Sequence, residues 1–263
     1  MTLPATRRSL AADLAAIGLE HGDSVLVHAG LRSIGRIVGG ADMLLGALRD
    51  VVGSEGTILG YTDWQGQDDL EDFPELRDDV PPFNPLTSRS TRDNGFWPEL
   101  LRTTPGAHRS ANPGASMAAI GRRAAWFTAD HAMDYGYGPQ SPLGKLVEAD
   151  GKTLLIGCQP DKMTLLHHAE HVADYFPKRI KRYESPLLVD GRTVWRRFEE
   201  FDTSNSPQGL PEDYFIAVVE EFFATGNGRR GTIGAAPSIL VRATEIIAFA
   251  VAWLERKLPK PAS

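Results

Sequence analysis

The densest group of side chains that could do chemistry lies at residues 164–171, which read TLLHHAEH. On a helix, His167, Glu170 and His171 lie on one face, because residues three and four positions apart are neighbours there. An imidazole that a carboxylate orients can act as a general base. The same three residues also match the H-x-x-E-H pattern of zinc hydrolases. Both alternatives stay open, and a purely structural role is a third for His168 and His171.

A second candidate site follows a predicted strand, where residues 28–35 read HAGLRSIG. A strand that runs into a glycine-bearing loop presents backbone N–H groups to an anion. Arg32 adds a planar cation that matches phosphate. The pattern is neither a Walker A loop nor a dinucleotide-binding fingerprint. It indicates either an anion site or an ordinary turn that carries a surface arginine.

Acidic side chains crowd two further regions. Residues 62–85 are rich in aspartate, glutamate and proline and predict a long irregular loop; such loops are usually functional or disordered. Residues 198–202 read FEEFD, and a carboxylate held there can orient a histidine or bind an ammonium group. Each region can equally be a solvated acidic surface.

The composition limits the class of protein. The chain has 263 residues, 42% of them hydrophobic, and a net charge of −6, which disfavours a nucleic-acid partner. Its one cysteine, Cys158, excludes an internal disulfide, and a small core residue is the expected role. The longest apolar stretch, residues 246–254, is far shorter than the roughly 20 residues of a membrane-spanning helix. We therefore expect a cytoplasmic protein without a membrane partner.

Hydrophobic periodicity predicts the elements that position these groups. Helices are predicted over residues 6–17, 41–52, 95–102, 124–128, 141–148, 163–175, 214–224 and 243–257. Strands are predicted over residues 23–28, 57–61, 116–120 and 152–157, and a hairpin over 179–189 and 192–198 around the Asp190–Gly191 turn. The order strand, loop, helix, strand favours an α/β fold.

Several stretches, in this order, resemble the aminoglycoside N(3)-acetyltransferases, which have the antibiotic N-acetyltransferase fold and are distinct from the GNAT superfamily. The resemblance covers residues 10–254. It rests on residues 25–35, 39–40, 56–57, 83–85, 109–113, 141–143, 164–170 and 231–236. It implies a mixed central β-sheet flanked by helices in a single domain, residues 1–258, followed by a frayed tail, residues 259–263.

The resemblance also implies an activity: transfer of an acetyl group from acetyl-CoA to the 3-amino group of an aminoglycoside's 2-deoxystreptamine ring, which confers antibiotic resistance. It places the general base at His167. The carboxylate that orients this base is expected at Asp202, with Glu199 or Glu200 as alternatives, and Glu170 completes the catalytic set. No metal is required, and a homodimer is compatible with the apolar C-terminal helix, which can be core or interface.

The resemblance assigns binding residues as well. Those expected to face CoA are Leu31, Arg32, Ser33, Ile34 and Gly35. Those expected to hold the cationic substrate are Asp63, Trp64, Asp68, Asp69, Glu199 and Glu200. The chain departs from the family's usual residues at Ala29, Gly30, Asn112 and Met163, which bears on substrate range. Two rivals remain, a zinc hydrolase and a non-catalytic module that binds cationic drugs.

Overall fold

The computed structural model describes residues 3–260. Its helices are α1 (Arg7–Ile17), α2 (Ala41–Val52), α3 (Gln65–Asp72), α4 (Phe96–Thr103), α5 (Ala124–Thr128), α6 (Pro142–Glu148), α7 (Leu166–Val172), α8 (Tyr214–Ala224) and α9 (Ala243–Lys257). Its strands are β1 (Ser24–Ala29), β2 (Thr57–Tyr61), β3 (His108–Arg109), β4 (Met117–Gly121), β5 (Lys152–Ile156), β6 (Ile180–Val189), β7 (Arg192–Phe201), β8 (Arg229–Ile233) and β9 (Ala236–Arg242). Residues 261–263 of the predicted tail lie outside the described residues.

Most strands form one mixed sheet in the order β3-β4-β2-β1-β5-β9-β8, while β6 and β7 form a separate hairpin. The central strand β1 is parallel to both β2 and β5, and antiparallel strands continue the sheet on either side. The predicted α/β fold with a mixed central sheet is confirmed. Because β2, β1 and β5 are neighbours and parallel, the residues that follow them meet at one edge, where ligands commonly bind in such sheets.

The core lies in two layers, one on each face of the sheet. Leu26 of β1 and Leu155 of β5 pack with α5 to α9, whereas Val27 and Leu154 pack on the opposite face with α1, α2 and α4. Successive strand residues point to opposite faces, so both faces of these central strands are apolar. Each buried side chain of this kind contributes roughly 1.5–3 kcal/mol. The two layers therefore hold the carboxyl edge of the parallel strands in place.

Several elements differ from the sequence-based expectations. The acidic segment predicted to be irregular contains α3, anchored by Leu70 in a small apolar cluster. Strands β8 and β9 were not predicted, although β9 is mostly buried and apolar. Helix α7 is shorter than the predicted 163–175, because the backbone turns extended at Ala173.

The apolar C-terminal stretch forms helix α9 and lies in the core. Its apolar side chains, among them Ile246, Ala250 and Trp253, are buried against the sheet. This face is core and offers no support for a homodimer. Within residues 3–260, every helix is too short or too polar to cross a bilayer.

Candidate active site

Three cavities meet at His167, on the carboxyl side of the parallel strands. The strand-end cavity, about 460 Å³, is lined by residues that follow these strands, including His28, Gly30, Cys158 and Gln159. The acidic cavity, about 220 Å³, lies between the end of β2, helix α3 and the β6–β7 hairpin, and includes Asp63, Asp68, Glu71 and Glu200. The side cavity, about 190 Å³, borders residues 203–206 and α8.

His167 is held by a buried carboxylate one helical turn away. Its Nδ1 lies 2.6 Å from Oε2 of Glu170, whose other oxygen accepts a hydrogen bond of 2.6 Å from the Tyr214 hydroxyl. The imidazole also packs between the rings of Tyr137 and Phe215, with centroid distances of 5.1 and 5.0 Å. The side chain of Glu170 is 4% exposed and that of His167 is 24% exposed. The imidazole of His167 is therefore accessible from the cavities, while the carboxylate of Glu170 is almost completely buried.

This arrangement fixes the tautomer of His167. An ionised carboxylate only accepts hydrogen bonds, so Nδ1 carries the proton that it donates to Glu170. Nε2 then keeps its lone pair, and it has no hydrogen-bond partner within the part of the chain that the structure describes. A neutral imidazole in this state can accept a proton from a group in any of the three cavities.

The second histidine of the pattern is fully engaged. His171 has Nδ1 2.8 Å from the carbonyl oxygen of His167 and Nε2 2.5 Å from Oε1 of Glu200. The other oxygen of Glu200 accepts a bond from the backbone N–H of Gly136. Since both ring nitrogens are in hydrogen bonds, neither is free to bind a metal. Residues 3–260 contain no cluster of three potential metal-binding side chains, so the zinc set of His167, Glu170 and His171 is not assembled.

The expectation that Asp202 orients the base is wrong. Asp202 lies just after β7, where its carboxylate is 3.4 Å from Nε of Arg179 and accepts from the backbone N–H of Ser204. Glu170 makes the contact with His167 instead, because a neighbour three residues along the same helix is already in reach.

Two of the acidic residues predicted to bind substrate, Asp63 and Asp68, line the acidic cavity. Asp63 follows β2 and accepts a hydrogen bond from the side chain of Asn94. Burial, reinforced by the nearby charge of Asp68, raises the pKa of Asp63 to about 8. Burial also raises the pKa of Asp68, which accepts from the Thr91 hydroxyl. Both carboxyl groups line the acidic cavity.

Glu200 also lines this cavity, but its two oxygens are bonded to His171 and Gly136, so its role is mainly structural. Three other predicted substrate residues lie away from the cavities. Trp64 is buried against Phe83 in the small apolar cluster beside α3. Asp69 is exposed and pairs with the amide of Gln65. Glu199 accepts from Arg182 and Tyr135 on the outer side of the hairpin.

In the loop predicted to face CoA, Ser33 is the residue that lines one of the four cavities. The loop forms a short 3₁₀ turn over residues 31–34, in which Ile34 is buried in the core and Leu31 packs against it. Arg32 and Gly35 are exposed and lie outside the cavities described here. Ser33 borders a fourth cavity of about 410 Å³, the outer cavity, which also includes Arg230 and shares Cys158 and Gln159 with the strand-end cavity. The outer cavity and the strand-end cavity, which His167 lines, therefore adjoin at Cys158 and Gln159.

Sequence reasoning missed several residues of the site. His28, the next-to-last residue of β1, has Nε2 buried and unpaired among the described residues, and burial lowers its pKa to about 4. The hydroxyl groups of Tyr61 and Tyr137 lie 2.6 Å apart beside the acidic cavity. Lys181 projects into the same cavity from β6. Only His28 carried a signal, since it directly precedes the glycine-bearing loop.

The departures from the family's usual residues have structural explanations. A β-carbon on Gly30 would lie 2.7 Å from the carbonyl oxygen of Gly157, so the loops after β1 and β5 are in direct backbone contact. Asn112 donates to the carbonyl oxygens of Ala132 and Met133 and accepts from two backbone N–H groups. Met163 is completely buried. Asn112 and Met163 therefore hold the core together and do not face a cavity.

Residues 26–255 match the family model described as aminoglycoside 3-N-acetyltransferase. The chain belongs to this family. It is 41% identical to aminoglycoside N(3)-acetyltransferase III of Pseudomonas aeruginosa, over all of this chain and 98% of that protein. It is 43% identical to aminoglycoside N(3)-acetyltransferase VII of Streptomyces paromomycinus, over 97% of this chain and 93% of that protein.

Solved structures of the family agree with the fold. The structure of AAC-IIIb in a binary complex with CoASH has a TM-score of 0.95 and 56% identity, covering 99% of this chain and all of that one. The structure of AAC-VIa bound to sisomicin has a TM-score of 0.92 and 34% identity, covering 98% of this chain and all of that one. The family recognised in the sequence is confirmed.

Proposed function

We propose that this protein is an aminoglycoside 3-N-acetyltransferase that transfers the acetyl group directly from acetyl-CoA to the 3-amino group of the 2-deoxystreptamine ring. The observation that carries the mechanism is the open Nε2 of His167 at the meeting point of the strand-end and acidic cavities. One cavity suits an uncharged thioester and the other suits a polycation. A base at this position lies beside both the thioester and the acceptor amine.

The acceptor amine must lose a proton before it can attack. An aminoglycoside amine is mostly an ammonium ion near neutral pH, and in that form it has no lone pair. Nε2 of His167 takes the proton, and the Glu170 carboxylate stabilises the imidazolium that results. The amine nitrogen then bonds to the thioester carbon. As the carbon–sulfur bond breaks, the nitrogen releases its second proton to water, and the departing thiolate of CoA is protonated by the imidazolium.

Acetyl-CoA fits the two adjoining cavities, the outer cavity and the strand-end cavity that His167 lines. Arg230 of the outer cavity and Lys162 of the strand-end cavity supply cations that suit phosphate groups. The Thr164 hydroxyl lines the strand-end cavity and is our candidate donor to the oxyanion that forms during attack. Gly30 is excluded as that donor, because its N–H already donates to the carbonyl oxygen of Ile156.

The aminoglycoside fits the acidic cavity. Relatives and solved structures of the family carry aminoglycoside names, and one contains sisomicin. Exposed ion pairs contribute only about 0.2–1 kcal/mol each, but several around one ligand add together. The cytoplasmic location and the homodimer expected from the sequence stay predictions.

The test is release of free thiol from acetyl-CoA in the presence of a panel of aminoglycosides. We expect thiol release with gentamicin-type and neomycin-type ligands and with apramycin, all of which contain 2-deoxystreptamine. Streptomycin lacks this ring and is the matched negative control. Tight binding of the panel without thiol release would instead support the drug-binding module, and chelator-sensitive hydrolysis would support the zinc enzyme.

A further inference from the structure

The acidic cavity already contains an ammonium group of the chain itself. Lys181 lies on β6, and its Nζ contacts the carboxylate of Glu71 on α3 and lies 3.4 Å from the hydroxyl of Ser204. Among the described residues that line this cavity, Lys181 is the one lysine or arginine. An incoming polycation therefore meets a like charge in the cavity that attracts it.

The other carboxyl groups of the cavity differ from Glu71, because among the described residues none of them pairs with a lysine or arginine side chain. Glu200 is bonded to His171 and to the backbone of Gly136. Asp63 has its pKa raised to about 8 by burial and accepts from Asn94. Asp68 accepts from Thr91. Glu71 accepts a neutral hydrogen bond from Gln67 and has its charge matched by Lys181.

The pair between Lys181 and Glu71 can open at low cost. The two side chains are 29% and 36% exposed, so water can solvate either charge when the contact breaks. A lysine ammonium is a compact charge on a flexible four-carbon stem, which lets it swing away without backbone movement. The pair also joins β6 to α3 over 110 residues of sequence.

We propose that Lys181 is a specificity-determining residue that competes with the ammonium groups of an aminoglycoside for Glu71. This proposal rests on the proposed function, in which the acidic cavity holds the acceptor. A ligand amine that approaches Glu71 must displace Lys181, whereas a ligand hydroxyl at the same position can hydrogen-bond beside the intact pair. Lys181 thus shifts the enzyme toward acceptors with a hydroxyl group at this position.

The test replaces Lys181 with methionine, which keeps the stem and removes the charge. Thiol release is measured with pairs of ligands that differ by one amine or hydroxyl, neomycin B with paromomycin and kanamycin B with kanamycin A. In Lys181→Met we expect the KM for aminoglycosides to fall by about fivefold, with kcat and the KM for acetyl-CoA unchanged. In at least one pair, the fall is larger for the amine-bearing ligand.

Arg182→Met is the matched control. Arg182 is the next residue, points to the outer side of the hairpin and pairs with Glu199, so its loss changes the net charge equally. We expect its selectivity between paired ligands to equal that of the wild type. The same shift in both variants overturns the proposal, as does a KM in Lys181→Met that rises, stays unchanged or falls equally for both members of every pair.

Binding without acetyl-CoA separates this proposal from the proposed function. Isothermal titration with neomycin B and paromomycin, together with thermal unfolding of each variant, reports affinity independently of turnover. Glu71→Gln is expected to weaken binding, because Lys181 then stands unpaired. If the wild type binds these ligands but releases no thiol, the proposed function fails while the competition at Glu71 is still measured by the titrations.

Discussion

Two histidines one turn apart on α7 each bond a glutamate, and they differ in what the imidazole can do. His167 bonds Glu170 through Nδ1 and keeps Nε2 open beside three cavities. His171 has both nitrogens in hydrogen bonds, to Glu200 and to a backbone carbonyl, and its side chain is almost completely buried. A carboxylate partner therefore does not make a histidine a base. A base also needs a lone pair that substrate can reach.

The sharpest test of this difference is His167→Ala. Loss of a general base typically lowers kcat by about 10²–10⁴-fold, and we expect this effect with little change in acetyl-CoA affinity. Thiol-release kinetics and a titration with acetyl-CoA measure the two quantities. His108→Ala is the control, since His108 is exposed on β3 and should keep wild-type kinetics. A folded His167→Ala enzyme with undiminished turnover would refute the role of the base.

Glu170→Gln tests the partner of the base. The amide keeps the shape but removes the charge that stabilises the imidazolium, so kcat should fall on the order of 10²-fold. Asp202→Asn is the matched control and should stay close to wild type, because Asp202 pairs with Arg179. Equal losses in the two variants would return the orienting role to Asp202.

Glu200→Gln should affect stability more than chemistry. It removes the carboxylate that bonds Nε2 of His171 and the backbone N–H of Gly136, and weakening buried hydrogen bonds in this way costs about 1–3 kcal/mol. Urea unfolding gives the free energy, and kcat is measured at a temperature where the variant is folded. We expect kcat to change by less than about tenfold. A larger loss of kcat with unchanged stability would make Glu200 part of the chemistry.

Asp63→Asn tests a buried carboxyl group that, unlike Glu170 and Glu200, is not bonded to a histidine within residues 3–260. Burial raises the folded-state pKa of Asp63 to about 8, so between about pH 4 and 8 the folded protein holds a proton that the unfolded chain releases. Stability therefore falls across this window as the pH rises. The variant should lose part of this slope and gain in Tm at pH 8. At that pH its KM for aminoglycosides should rise by about fivefold, because the ionised carboxylate is lost. Thermal unfolding and kinetics at pH 6 and pH 8 measure both, and an unchanged slope would contradict the buried carboxyl.

The sequence predicted those parts of the molecule whose pattern is local. Periodicity identified β1, β2, β5 and most helices, and helical spacing alone brought His167 and Glu170 together. The acidic cavity could not be predicted in this way. Its walls join residues far apart along the chain, such as Lys181 with Glu71 and Ser185 with Gln67, 110 and 118 residues apart. Hydrophobic periodicity along the sequence does not indicate which surface of a hairpin packs against which helix.

The error over Asp202 has a similar origin. An acidic run between aromatic residues at 198–202 indicated a buried carboxylate, and Glu200 is indeed buried. Which histidine it meets depends on how the hairpin docks against α7. In the folded protein the hairpin packs so that Glu200 contacts His171. Trp64, an aromatic residue beside acidic ones, instead packs in the apolar cluster next to α3.

The backbone contact between Gly30 and Gly157 has a consequence for protein engineering. Gly157 has a φ of 61°, and a β-carbon there would clash with Ser33, just as one on Gly30 would clash with Gly157. The two loops are therefore interlocked parts of one module. A serine grafted at position 30 alone would force the loops apart, so a chimera with a relative should exchange both segments together.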